Sequence, residues 1–494
     1  MPWMGRWLRL PHAVLCGWIA WFAVYAMRPL SDPDTPWHLA AGRYILDRHE
    51  VPTTDPFSWT MHGHPWVTHE WLFEVVLAAL VGHFQFFGAW LLYAGLHAFT
   101  VLVLYRLGIR VSRGARLSSA LAACAATWVA LDFWTLRPQL VSYLLFAVFL
   151  WLFSHVREGH WGAVCLIPPL LWLWANAHAS ASIGVVMIGL EVLLSFVPSL
   201  GRLQGFSLSW PARLQLVGAG GIGFVLGLFN PNHLQTFTYG LLSTNKDLVD
   251  NIMEWHSPDF HTQSFQQVVL PFLIVVFLLL LARRRQLPLR ETLFFGGSFA
   301  VTLIYQRFLP YTTICAVPLI AAVLSDWEES LRDLLAWPWL RLGESVLTAA
   351  GVAASIVFCV EHGNQVRGPV DKHFSTSAYP VAAVNYLLQH GLTHRLLNAY
   401  DWGGYLIYRG IPTFVDGRTD VFLASGVFDD YLALQNIWWQ CPELLDKYRF
   451  ETALFPPGDP IVTYLESQPD WRIAYQDTTA VVLVHQSSHS PAKG

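Results

Sequence analysis

Three observations predict a mainly α-helical protein: a polytopic membrane bundle of about 11–13 spans with a small C-terminal α/β domain outside the membrane. Only 13% of the 494 residues are charged, about half the share usual in a soluble domain, and mean hydropathy is +0.40. Apolar runs of nearly spanning length recur from residue 11 to residue 361. After residue 361 the chain turns polar, and short apolar runs alternate with helical patterns. The expected domains are therefore 1–361, with a large first outward loop at 28–70, and 362–494.

A spanning helix takes about 20 mostly apolar residues. The segments meeting this, several of them short, are 11–27, 88–107, 117–131, 139–154, 161–176, 183–197, 214–229, 267–282, 291–305, 310–325 and 345–361. The first has a basic start and no small-x-small cleavage site, which reads as a retained helix rather than a signal peptide. The stretch 71–83 is apolar but short: a brief span, a re-entrant segment or an interfacial helix. The 24 Trp and 17 Tyr suit membrane–water interfaces. A net charge of −4 gives no reason to expect nucleic acid as a partner. The six cysteines show no metal spacing and read as packing residues.

Loop charge sets the expected orientation. Arg6 and Arg9, the loop 106–116, the loop 198–213 and the run ARRRQLPLR at 282–290 are basic, hence cytoplasmic. The N-terminus then faces the cytoplasm, and everything after about 362 lies outside a plasma (inner) membrane. The outward loops carry SDPDTPWH, HEW, RPQ, NAHAS, NPNH, MEWHSPDF and YQRF. Polar groups at membrane depth are costly and point to function, so these clusters suggest one outward cavity.

The first outward loop is the richest. Asp32 and Asp34 stand at i, i+2 around Pro33, so one acid can serve as a general base while the other caps the helix opening at Thr35-Pro36. That helix, running to His49, reads as interfacial, with Leu39, Tyr44, Ile45 and Leu46 toward lipid. His38, His69 and Glu70 are candidate contacts for a metal or a phosphate, although their spacing is no standard zinc pattern. Arg137 suits an anionic lipid phosphate or a loop acid. Asn176, His178, Glu254 and Arg307 complete the candidate lining, each with a plain structural contact as the competing reading. Glu191 and His97 are buried polar residues within spans, with no partner visible in the sequence.

In the C-terminal part, RLLNA, PTFVD, TALF, RIAY and AVVLVH read as strands. VAAVNYLLQHG, GYLIYRG, FDDYLALQNIWWQ and PIVTYLESQ read as helices, and 363–380 as a linker. Asp416 and Arg418, in VDGRTD, are either ligand contacts at a strand end or an internal Asp–Arg clamp.

An acidic first outward loop after one span, an interfacial helix, about a dozen spans and an external C-terminal domain resemble the GT-C superfamily of membrane glycosyltransferases. That group includes protein O-mannosyltransferases, the lipid A aminoarabinose transferase and the oligosaccharyltransferase catalytic subunit. The strings DPDTPWHLAAGRYIL, TDPFSWTMHGHPWVTHEWLFE, LRPQL, NAHASASIG, MEWHSPDF and DWGGYLIYRGIPTFVDGRTDVF look more closely like a bacterial branch of that group. The resemblance implies a polyprenyl-phosphate sugar donor, as in mannosyl and arabinosyl transferases. It implies attack by an acceptor hydroxyl with inversion, and a first-loop acid as base: Asp34, with Asp32 second. It also implies a basic residue (Arg137, His178 or Arg307) or a divalent metal ion at the leaving phosphate. The second acidic motif of the oligosaccharyltransferase is not recognisable, which argues against a metal-dependent mechanism. Its WWD-type motif is absent, which argues against reading a peptide sequon. Two other classes fit the same outward cavity: a transporter or flippase for a lipid or solute, and a non-catalytic assembly factor for cell-surface polysaccharide.

Overall fold

The computed structural model describes residues 10–240, 246–283, 286–334 and 338–486. Arg6, Arg9, Arg284 and Arg285, on which part of the charge asymmetry rests, lie outside them. The chain forms two compact units, one of Met1–Arg28 with Ala89–Arg367, the other of Pro29–Gly88 with Gly368–Gly494. The first outward loop thus folds with the C-terminal part, a grouping that sequence order does not display.

In the first unit every apolar segment expected to span is helical over most of its length, several running one to three residues past the helix end. Five helical stretches among the described residues are long and apolar enough to cross a membrane: Phe86–Val111, Gln139–Arg157, Phe265–Ala282, Gln306–Ser330 and Gly343–Val366. Leu10–Tyr25, Trp161–Ala177 and Ala181–Leu194 are shorter apolar helices. Gln306–Ser330 is central, with 78% of its apolar window buried against 6% for Gly343–Val366. Small residues set the packing. Ala120, Ala122, Ala123 and Ala126 are buried in the Arg116–Val129 helix, which packs on Leu10–Tyr25 and Leu309–Leu334. Glu191 finds its partners here: Arg157 Nε donates to its Oε1 at 2.8 Å, and Arg290 Nη1 lies 3.6 Å from its Oε2. Arg290 also bonds Glu291, so three helices share one buried ionic knot. His97 stacks on Phe22, with ring centroids 3.4 Å apart.

The second unit is built around a four-stranded sheet in the order Leu396–Asn398, Thr452–Phe455, Val481–His485, Trp471–Gln476. The first pair is parallel and the other two antiparallel. The last two strands form an antiparallel hairpin, and in its turn Asp477 Oδ1 accepts from the N–H groups of Thr479 and Ala480. PTFVD is not a strand. Thr413 makes one bridge to Ser58, while Asn398 holds the segment by accepting from Phe414 N–H and donating to Val415 O, each at 2.9 Å. A side chain and the first loop supply the bonds that a neighbouring strand would have supplied, so VDGRTD lies at no strand end. The helix expected through NIWWQ stops at Gln435, and two short helices, Thr419–Leu423 and Cys441–Tyr448, were not expected. The expected linker is packed in place: Leu30 N–H donates to His373 O and Ser375 N–H donates to Leu30 O, and Phe374 and Tyr379 are buried.

The Thr35–Arg48 helix packs against two other helices. It contacts Trp71–Phe84 and Gly403–Tyr408, which buries Leu39 and Ile45 and leaves Leu46 exposed. Gly42 permits the closeness, since a Cβ there would lie 2.0 Å from Glu74 O.

One buried cation ties the two parts of this unit together. Arg418 Nε and Nη2 donate to the two oxygens of Asp416, both at 2.8 Å, and Nη1 donates to Asp55 Oδ1 at 2.6 Å. The guanidinium stacks over Phe57 and Trp66 at 5.1 and 4.8 Å. Burial works against an ionised Asp55, but Arg418, Ser58 and the Phe57 N–H overcome it and hold the carboxyl below the usual range. Removing one partner of a buried pair strands the other charge, so Asp55→Ala is expected to lower unfolding free energy by about 3–5 kcal/mol at neutral pH. Because the folded pKa is depressed, this contribution is complete above about pH 4 and lost as pH falls toward the folded value. Unfolding of the detergent-purified protein should therefore show the gap between wild type and Asp55→Ala narrowing below about pH 4.

Candidate functional site

The chain entering the Thr35–Arg48 helix separates the two first-loop acids by role. Asp32 Oδ1 accepts from the backbone N–H of Asp34 and of Thr35, at 3.0 and 3.2 Å. Asp32 therefore satisfies the open helix terminus. Asp34 stands at the N-cap position but its side chain makes no capping bond. Its Oδ1 instead accepts from Trp37 Nε1–H at 3.1 Å, and the residue is buried.

Two glycines bring the C-terminal part against this acid. A Cβ on Gly417 would lie 2.1 Å from Asp34 Oδ1, and one on Gly404 would lie 2.2 Å from Pro33 O. Both positions need glycine for close approach. Asp416 and Arg418, on either side of Gly417, are the buried clamp described above. Their charges are consumed within the fold, and they fix the turn that lies on Asp34.

His38, one turn beyond Asp34, is buried between two acids, with Nδ1 at 3.1 Å from Glu74 Oε1 and 3.7 Å from Glu70 Oε2. Glu70 occupies the N-cap position of the Trp71–Phe84 helix without a side-chain cap bond. His69 donates from Nδ1 to Val67 O at 2.9 Å and sets Nε2 3.5 Å from Glu70 Oε1. Burial alone lowers its pKa, but the charge and hydrogen bond of Glu70 raise it to about 9. The fourth member, Glu74, is an acid that hydropathy hides, since it sits in the apolar run WLFEVVLAAL.

The remaining candidates lie in the first unit, in two groups. Arg137 Nη1 donates to Glu254 Oε1 at 2.6 Å, and the Arg307 guanidinium lies 4.1 Å from the Trp255 ring centroid. Burial works against the Glu254 charge, but Arg137 and Arg307 hold the carboxyl below its usual range. Two cations around one acid leave net positive charge there. In the second group, His178 Nδ1 lies 2.8 Å from both Ser142 Oγ and Ser180 Oγ. Trp174 Nε1–H donates to Ser142 Oγ at 2.8 Å. Asn176 donates to Trp172 O at 2.8 Å and is buried, which makes it a helix-end fastening.

Sequence reasoning passed over Trp37 and the partnership of Asp55 with Arg418. Gly404 and Gly417 had a signal in the pairs DWGG and VDG, but nothing local reveals what approaches them.

No family model matches the chain, and no curated protein does. Solved structures match its fold. Archaeoglobus fulgidus oligosaccharyltransferase AglB, in complex with an inhibitory peptide and a dolichol-phosphate, is similar over 98% of this chain and 75% of its own, at 11% identity and TM-score 0.52. The same organism's oligosaccharyltransferase in complex with Zn and sulfate is similar over 96% and 74%, at 11% identity and TM-score 0.51. ArnT from Cupriavidus metallidurans, bound to undecaprenyl phosphate, is similar over 95% of this chain and 97% of its own, at 12% identity and TM-score 0.51. The chain therefore has the multi-pass membrane fold of the GT-C glycosyltransferases, with a small sheet-containing C-terminal part.

Proposed function

We propose that this protein transfers a sugar from a polyprenyl-phosphate donor to an acceptor on the outer face of a plasma membrane, with inversion, and that Asp34 is the general base. The observation that carries the reading is the division between Asp32, which caps the helix, and Asp34, which is buried, relieved of capping and aimed by Trp37. Support comes from the shared fold with proteins solved with dolichol-phosphate and undecaprenyl phosphate.

The chemistry asks for two things. As the acceptor oxygen bonds to the anomeric carbon, its proton passes to Asp34. On the opposite face the carbon–oxygen bond to the phosphate breaks, and the polyprenyl phosphate leaves with the electron pair. Negative charge grows on that phosphate and calls for fixed positive charge. The reading assigns proton removal to Asp34 and phosphate recognition to Arg137 and Arg307, with His178 as a further hydrogen-bonding contact. In this orientation the N-terminus is cytoplasmic and the division at 361/362 marks where the chain leaves the last span.

Purified protein in detergent, given radiolabelled polyprenyl-phosphate sugars, tests this. Asp34→Asn should lower turnover by about 10²–10⁴-fold with the fold intact. Asp32→Ala should act mainly on stability, by about 1 kcal/mol from the lost cap. Equal turnover in wild type and Asp34→Asn would remove the base assignment. Gly417→Ala should lower turnover while sparing donor affinity, because its Cβ displaces the acid. Separately, Arg137→Gln should weaken binding of the lipid phosphate by about 10–100-fold, the value of a charged hydrogen bond, as measured by calorimetry with polyprenyl phosphate alone.

A further inference from the structure

We infer that His38, Glu70 and Glu74 form a divalent transition-metal site that clips the Thr35–Arg48 and Trp71–Phe84 helices together one turn from Asp34. The three side chains each offer one ligand atom, and these atoms all lie within 4.8 Å of one another. On a tetrahedral ion with bonds of about 2.1 Å, ligand atoms sit about 3.4 Å apart. The separations from His38 Nδ1 to Glu74 Oε1 and to Glu70 Oε2, 3.1 and 3.7 Å, bracket that edge.

A second observation is independent of the clustering. Glu74 is 1% exposed, and its Oε2 has no hydrogen-bond partner. A buried carboxylate oxygen left unbonded is costly, and a cation at the triad that takes the Glu74 carboxylate through both oxygens removes the cost. One imidazole nitrogen with two carboxylates suits Zn2+, Mn2+ or Fe2+ rather than a hard, all-oxygen ion. The site is built into the helix crossing itself, because Gly42 lets the Thr35–Arg48 backbone approach Glu74 O.

The ion acts as a positioning element. The His38 backbone N–H donates to Asp34 O at 3.1 Å. The ring of Trp37, which bonds the Asp34 carboxylate, lies 3.7 Å from the His38 ring between centroids. Fixing His38 therefore fixes the turn that carries the acid. This inference concerns metal binding and stands whether or not the chain transfers sugar.

The test uses the full chain, stripped with a chelator and dialysed against Zn2+ or Mn2+ alone. Wild type is expected to retain one ion per chain and to melt at a higher temperature with the ion. Glu74→Gln and His38→Gln should each bind at least tenfold more weakly, while His62→Ala, at an exposed histidine of the same loop, should bind as wild type does. Pulsed EPR of Mn2+-loaded wild type, which needs no variant to fold, should show coupling to one histidine nitrogen. No retained ion, an ion retained equally by Glu74→Gln, or a spectrum without histidine coupling overturns the site.

Discussion

The second unit depends on a single guanidinium. Arg418 is buried and shared between Asp416, two residues away, and Asp55, 363 residues away. Its stacking on Phe57 and Trp66 leaves little room for any other cation of the same charge. Such a network adds little net stability over a well-packed apolar core, because desolvation offsets most of the attraction. What it adds is register. The first loop and the segment 412–420 have no strand ladder between them, only one bridge and the side-chain bonds of Thr60 and Arg418. A fork with two fixed acceptors selects one alignment out of many.

That alignment reaches Asp34 through glycine. With Asp416 and Arg418 clamped, Gly417 has no freedom to retreat, and its backbone rests on the Asp34 carboxylate. Asp34 is thus confined by Trp37 on its own helix and by the turn above it. On the proposed reading of Asp34 as general base, this matters because a base works best when its oxygen is already placed and the surroundings need not reorganise. Asp32 makes this possible by taking over the helix terminus, a task that would otherwise occupy the only acid at the N-cap.

The membrane helices were legible because their signal is local: each apolar run contains its own evidence of burial in lipid. The C-terminal sheet was mostly legible for the same reason, as TALF and AVVLVH are short, apolar and rich in β-branched residues or aromatics. PTFVD carries the same signal and misled, because its burial comes from the first loop and from Asn398 rather than from a partner strand. The grouping of 29–88 with 368–494 leaves no mark in a single sequence. Neither does the choice between clamp and ligand contact for Arg418, which turns on Asp55 in a distant stretch of chain. Glu74 was obscured by its setting, since one acid in an apolar helix reads as a tolerated exception until His38 is seen beside it.

The Arg137–Glu254 pair has a logic of its own in a membrane protein. Two arginines drawn together out of bulk water, without an acid, would carry a large desolvation cost and would tend to draw water or swing away. Glu254 holds Arg137 directly, and its lowered pKa reflects the charge of Arg307 as well. The group keeps one net positive charge and a fixed geometry. On the proposed reading, an incoming phosphate would meet cations already in place and lose only the share of attraction that Glu254 retains. Affinity is lowered by that share, and in exchange the ordering cost of assembling two arginines around the anion is met during folding. A leaving phosphate must also depart, so moderate affinity suits the chemistry: charge that stabilises the group as it forms must not hold it afterward.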